Sequence, residues 1–166
     1  MSEHDIVVEW LQIAYDDYDS AKFLFDKKRP KPLEIICYHC QQSVEKSLKA
    51  YLCFKDIEVP KIHATKLLCK QCAEINSDFM DFIEHCAELE IYATETRYPS
   101  RIDLLEANAE KALQQASAIY NFVADIIQKN SGNGDYTKDR GAWLDKLTNE
   151  EILEGIRAIE AKRNEE

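Results

Sequence analysis

Cys37-Tyr38-His39-Cys40-Gln41-Gln42-Ser43-Val44-Glu45-Lys46-Ser47-Leu48-Lys49-Ala50 is the run that decides how this chain reads. Wound at about 100° per residue, it sorts into two faces. Cys37, Cys40, Val44, Ser47, Leu48 and Tyr51 fall on one side, and His39, Gln42, Glu45, Lys46 and Lys49 fall on the other. A face that only meets solvent is usually Lys and Glu with little variety. An imidazole, a carboxamide, a carboxylate and two ammonium groups in one strip mark either a ligand surface or a polar interface between helices. Both lysines lie off the apolar stripe, so their removal is expected to leave the fold intact.

Working outward, the same periodicity recurs. Val7, Leu11, Ala14, Tyr18, Ala21 and Phe25 step by four and three, which predicts a long amphipathic helix over residues 6–26. Lys27-Lys28-Arg29-Pro30-Lys31-Pro32 ends it, because two prolines one residue apart cannot sit inside a helix. Its basic side chains are placed to satisfy the carbonyls at that helix's end. The quoted run belongs to a second helix, 33–54, followed by a polar connector with Pro60. A shorter helix over 64–75 carries Leu67, Leu68, Cys69 and Cys72. Asn76-Ser77-Asp78 supplies a boundary with a good N-cap, and a further helix over 79–93 carries Phe79, Phe82, Ile83, Cys86, Leu89 and Tyr92. A loop around Arg97-Tyr98-Pro99 leads to a last long helix over 102–129, with Leu105, Ala109, Ala112, Ala116, Ile119, Val123 and Ile126 on one side.

Three long stripes and no convincing strand predict an all-α, up-and-down bundle of four to five helices in residues 1–130. Asn130-Ser131-Gly132-Asn133-Gly134-Asp135 opens a flexible linker, 131–141. Residues 142–166 then carry an extra C-terminal amphipathic helix starting near Thr148, where Thr148 and Glu151 form a capping box. It is expected to dock on the bundle or to join a partner.

Bulk properties narrow the function. With 166 residues the chain can bury a full core, so it needs no metal or disulfide to fold. A net charge of −10 argues against constitutive duplex binding, which normally calls for a basic excess, and makes RNA a disfavoured partner. Lys46, Lys49, Arg97 and Arg101 could still form a local basic pocket. No charged-then-apolar leader opens the chain, and no apolar run approaches the ~18 residues of a membrane span. The six cysteines are therefore expected to be thiols in a reducing cytoplasm.

Three segments resemble the HEPN family (higher eukaryotes and prokaryotes nucleotide-binding), together spanning about residues 7–127. The first is the quoted run, with its aromatic residue and His, then Gln-Gln, Glu-Lys and Lys-Ala. The second is Pro60, His63 and Leu67 or Leu68, similar to the Pro–His–Leu segment that opens the family's third helix. The third is Arg97-Tyr98-Pro99, similar to the Arg-Tyr-Pro turn before the last helix. The resemblance implies a helical bundle, commonly a homodimer, often encoded beside or fused to a minimal nucleotidyltransferase. It also implies nucleotide binding or regulation of that partner, in a toxin–antitoxin-like or regulatory pair. Other branches of the family are metal-independent ribonucleases, frequently toxins, that use an Arg followed by His after four to six residues. None of the arginines here, at 29, 97, 101, 140, 157 and 163, has a His at that spacing. After His63 the chain runs Ala64-Thr65-Lys66, where Asp-Leu is usual in the family.

The candidate ligand residues are therefore His39, Gln42, Glu45, Lys46, Lys49, Arg97 and Tyr98, with no catalytic residue and no metal or cofactor assigned. Lys46 and Lys49 would offer charge to a phosphate, Gln42 would read a base or ribose, and Glu45 would orient a lysine or His39. The competing reading is a polar network that fixes helix register or a homodimer, since a buried polar group must be paired. Arg97 could clamp a phosphate or lock its turn on a carboxylate such as Glu45, and Tyr98 is expected to be a packed ring with a bonded hydroxyl. Cys37-x-x-Cys40 and Cys69-x-x-Cys72 have zinc-like spacing. The first pair lies one helical turn apart on an apolar face, however, which favours buried thiols as small core residues. A ribonuclease with His39 and Arg97 as its working pair, and a purely structural dimerisation module, are the alternatives.

Overall fold

The computed structural model describes residues 2–99, 103–132 and 157. Its long elements are α1 (Glu3–Lys27), α2 (Leu33–Phe54), α3 (Thr65–Ile75), α4 (Ile83–Glu90) and α5 (Glu106–Asn130). Short 3-10 segments at Ser77–Phe82, Ile91–Ala93 and Glu95–Arg97 flank α4. No strand occurs among the described residues, and the architecture is an all-α bundle. The expected linker and C-terminal helix lie outside the described residues, apart from Ser131, Gly132 and Arg157.

Helix α1 starts earlier than its apolar stripe. The Ser2 hydroxyl accepts the Asp5 N–H, and the Asp5 carboxylate accepts the Ser2 N–H at 2.8 Å, a reciprocal cap that adds a turn before Ile6. At its far end Arg29 donates to the carbonyls of Phe25 and Lys28, as the basic run led one to expect. Helix α2 ends in a Schellman motif. Asp56 takes a left-handed φ of 56°, its N–H bonds the Cys53 carbonyl, and the Ile57 N–H bonds the Leu52 carbonyl.

Helix α2 is the axis of the bundle, packing against α1, α3, α4 and α5. Small residues permit this. The Ser43 hydroxyl donates to the Ala14 carbonyl of α1 at 2.7 Å, a backbone approach a larger side chain would block. The predicted α1 stripe is buried from Val7 to Ala21, with Phe25 half-buried. Cys37, Cys40, Val44, Ser47, Leu48 and Tyr51 are all inside, as assigned from the helical wheel.

The predicted helix over 79–93 is broken into 3-10, α and 3-10 pieces. Its apolar residues still bury: Phe79 stacks near Tyr51 and Phe122 with centroids 4.6 and 4.9 Å apart, and Phe82 joins Phe122 at 4.9 Å. The Asn76 side chain caps the segment by accepting the Asp78 N–H. Helix α5 begins at Glu106 rather than 102, with Leu105 exposed and its N–H bonded to the Asn108 side chain. Leu67 lies outside, because Leu68, Cys69 and Cys72 define the buried side of α3.

The buried thiols serve this packing. Cys69 donates to the Phe79 carbonyl at 3.3 Å and Cys72 toward the Leu48 carbonyl at 3.7 Å. Burial pushes the Cys37 thiol up to about 12, which keeps it protonated. A hydrogen bond to Cys69, reinforced by burial, also raises the Cys86 thiol well above its ordinary value.

Candidate functional site

The polar strip of α2 does not lie open. It is organised around two carboxylates, each holding one imidazole and one ammonium group. Asp17, supplied by α1, lies 2.8 Å from His39 Nδ1 and also takes the Lys46 ammonium. Glu45 takes Lys49 Nζ at 2.8 Å and His63 Nδ1 at 2.9 Å. Helical spacing explains the first half of each set: His39 and Lys46 are seven residues apart on one side of α2, while Glu45 and Lys49 are four apart. The partners from elsewhere, Asp17 and His63, come from the packing of α1 and of the connector before α3.

The two clusters differ in depth. Asp17, His39 and Lys46 are half-buried, so solvent reaches one edge. Glu45 and Lys49 are buried, at 3% and 5% exposure. Lys49 was expected to be removable without harm to the fold, but it sits in the interior with its ammonium 5.7 Å from the centre of the Trp10 ring. Gln41, also buried, donates to Glu45 Oε2 at 3.3 Å and to the His63 carbonyl at 3.4 Å. Gln42 donates to Gln41 Oε1 at 2.7 Å and toward Glu45 Oε2 at 3.5 Å. The carboxamide and the carboxylate therefore tie α2 to the connector.

Both carboxylates stay ionised. Burial would raise the Asp17 pKa, but hydrogen bonds from His39 and Lys46 outweigh it and hold the group below its ordinary value. For Glu45, burial again pushes up, while Lys49 and His63 more than compensate. The strip is thus internally neutralised: each lysine already faces an anion of its own fold.

His63 is the member that reaches outward. Its side chain is 77% exposed while the Glu45 side chain that holds it is 4% exposed. The ring stands on the rim of a cavity of about 390 Å³ between the start of α3 and the end of α4. Ala64, Ala87 and Ala93 line the cavity together with Glu90, Ile91, Thr94 and Glu95. Thr65, in the segment where the resembled family differs, turns its hydroxyl inward to the Cys86 carbonyl at 2.8 Å.

Of the residues singled out in the sequence, the structure brings Gln42, Glu45 and Lys49 into one network and His39 and Lys46 into its neighbour. Arg97 closes a 3-10 turn, and its side chain lies outside the described residues, as does Arg101. Tyr98 is not the packed ring expected; it follows the 3-10 segment with an extended backbone and is 56% exposed. Asp17, Gln41 and His63 were not among the candidates. Asp17 had a visible signal: it is a charged residue adjoining the stripe residue Tyr18, on the flank that faces α2.

No curated protein and no solved structure matches the chain. Compared with protein families, residues 7–127 match the HEPN domain. This match, together with the all-α bundle and the paired Gln-Gln and Glu-Lys residues of α2, places the chain in the HEPN domain family, to which it belongs.

Proposed function

We propose that the chain is a non-catalytic HEPN module that binds a nucleotide and works beside a minimal nucleotidyltransferase. The observation that carries this reading is the presentation of His63. A buried anion fixed by Lys49 and Gln41 holds the Nδ1 side of an exposed ring at the rim of a cavity. That arrangement orients an imidazole edge without requiring it to shuttle protons. The cavity, at about 390 Å³, falls within the size range of small-molecule sites. Pairing with a nucleotidyltransferase rests on the family resemblance, as does homodimer formation.

A ribonuclease is the weaker reading. The Arg–His spacing of the ribonuclease branches is missing from the sequence, and both lysines of the strip are engaged by carboxylates instead of facing a scissile phosphate.

Calorimetric titration of the full chain with ATP, GTP and their cyclic forms tests the proposal. Saturable binding of at least one is expected, weakened about tenfold by His63→Ala, on the scale of one lost polar contact to a charged ligand. Absence of binding by all of them, with the protein folded by circular dichroism, would remove the nucleotide reading.

A further inference from the structure

Beyond the cavity at His63, the same face carries a second recess of about 170 Å³ lined by Lys66, Leu67 and Lys70. The two recesses share Ala64 and Glu90, so they form one groove across the junction of α3 and α4. We propose that this groove is a two-compartment site for a ribonucleoside 5′-phosphate, with ring and ribose beside His63 and the phosphate at Lys66 and Lys70. The inference rests on the nucleotide reading above and assigns that ligand's parts to places.

The larger compartment suits a flat ring. Three of its lining residues are alanines, which project nothing past Cβ, and Ile91 adds exposed apolar surface. His63, fixed through Nδ1, supplies an aromatic edge or face to the same ring.

The carboxylates of that compartment, Glu90 and Glu95, are acceptors. Glu90 Oε2 already takes the Lys66 N–H at 2.9 Å, which anchors its carboxylate at the junction of the two recesses. Glu95 and Thr94 also line the larger compartment. Carboxylates in a half-open site repel phosphate and accept from hydroxyl donors. A ribose diol offers two such donors side by side, whereas a deoxyribose offers fewer.

The smaller compartment has a net positive lining, Lys66 and Lys70 against the shared Glu90 carboxylate, which is already bonded to the Lys66 N–H. Lys66 and Lys70 are one turn apart on α3 and share a side of it. Among the described residues neither makes an ion pair, in contrast to Lys46 and Lys49. An ammonium without a carboxylate partner needs no displacement before it meets a phosphate. The anion is therefore assigned to α3, and the α2 strip becomes the support behind His63.

The test compares the full chain with a Lys66→Gln/Lys70→Gln variant in calorimetric titrations. The probes are ATP, GTP, CTP and UTP, their 2′-deoxy forms, and inorganic triphosphate. Lys70 is exposed and Lys66 half-buried, so circular dichroism is run on the variant to check that it folds. A Lys22→Gln/Lys28→Gln variant controls for general charge. The expected result is that a ribonucleotide binds, the α3 variant weakens it about tenfold or more, and the control does not. The 2′-deoxy form and inorganic triphosphate bind more weakly than the ribonucleotide, and Ala87→Leu, which fills the larger compartment, blocks it. Wild-type affinity of the α3 variant, or equal affinity for ribo and deoxy forms, overturns the groove. If His63→Ala alone abolishes binding in that case, the nucleotide reading survives without it. If the wild-type chain binds none of the four, both fall together.

Discussion

Glu45 and His63, eighteen residues apart, meet at 2.9 Å with the carboxylate buried and the imidazole in solvent. The same carboxylate oxygen takes the buried Lys49 ammonium at 2.8 Å, so Glu45 compensates one charge inside and steers one ring outside. Removing it strands Lys49. Glu45→Gln should cost about 3–5 kcal/mol in urea unfolding, the scale for a buried ion left without its partner. Replacing both, as Glu45→Leu with Lys49→Met, should recover most of that loss while misplacing His63. A Glu45→Gln protein as stable as wild type would show that the pair is not truly desolvated.

The Asp17 cluster predicts a smaller effect. Lys46 keeps about a quarter of its side chain in solvent, so its attraction to Asp17 is partly screened. Lys46→Ala should cost roughly 1 kcal/mol or less, well below Glu45→Gln in the same assay. The ranking of the two variants, more than either value, reports the difference in depth.

Acid should expose both clusters. Asp17 and Glu45 have ordinary values of 3.8 and 4.5 and are held lower in the fold, so the native state binds fewer protons than the unfolded chain. Their contribution is complete above those ordinary values and is lost as pH falls through the depressed native ones. Thermal midpoints should therefore drop between about pH 5 and pH 2, in the range where such carboxylates titrate. The drop should be shallower in Asp17→Asn and Glu45→Gln. Parallel acid profiles for wild type and the two carboxamide variants would contradict this assignment.

Much of this was legible from spacing. A period near 3.6 places Val7 to Ala21 and Cys37 to Tyr51 inside without any knowledge of partners, because each residue's face follows from its own helix. The fate of Lys49 did not follow in that way. A helical wheel puts it with His39 and Lys46, yet depth depends on which neighbour covers that side, and here α1 brings Trp10 over it. His63 braces the connector through its bond to Glu45. Its second role, at the rim of a cavity, depends on the end of α4, which is distant in sequence. The broken helix over 79–93 had no signal in its apolar spacing, since 3-10 and α turns bury similar residues over such short lengths.

Thiol reactivity should follow burial. Cys37, Cys40, Cys69, Cys72 and Cys86 are buried, and Cys53 is half-exposed at the end of α2. Burial raises the Cys53 thiol pKa as well, so even this site should react slowly. Alkylation of the native chain near pH 8, read by mass spectrometry, should modify Cys53 first. The five others should label only when urea opens the bundle. Rapid modification of Cys37 or Cys40 in the native state would mean that the apolar side of α2 is not the interior.

The short segment that walls the candidate groove depends on one ring. Phe79 is fully buried and sits between Tyr51 of α2 and Phe122 of α5, coupling the 3-10 turn before α4 to the two central helices. Its neighbour Met80 is 62% exposed. Phe79→Ala should therefore cost about 3–5 kcal/mol through the lost contacts and the cavity left behind, whereas Met80→Ala should stay within about 0.5 kcal/mol of wild type. Hydrogen exchange separates local from global consequences. In Phe79→Ala, amides of α4 should lose more protection than those in the middle of α2, because α2 retains its contacts with α1 and the rest of α5. Uniform loss across both helices would instead make the α4 segment part of the same cooperative unit as the central pair.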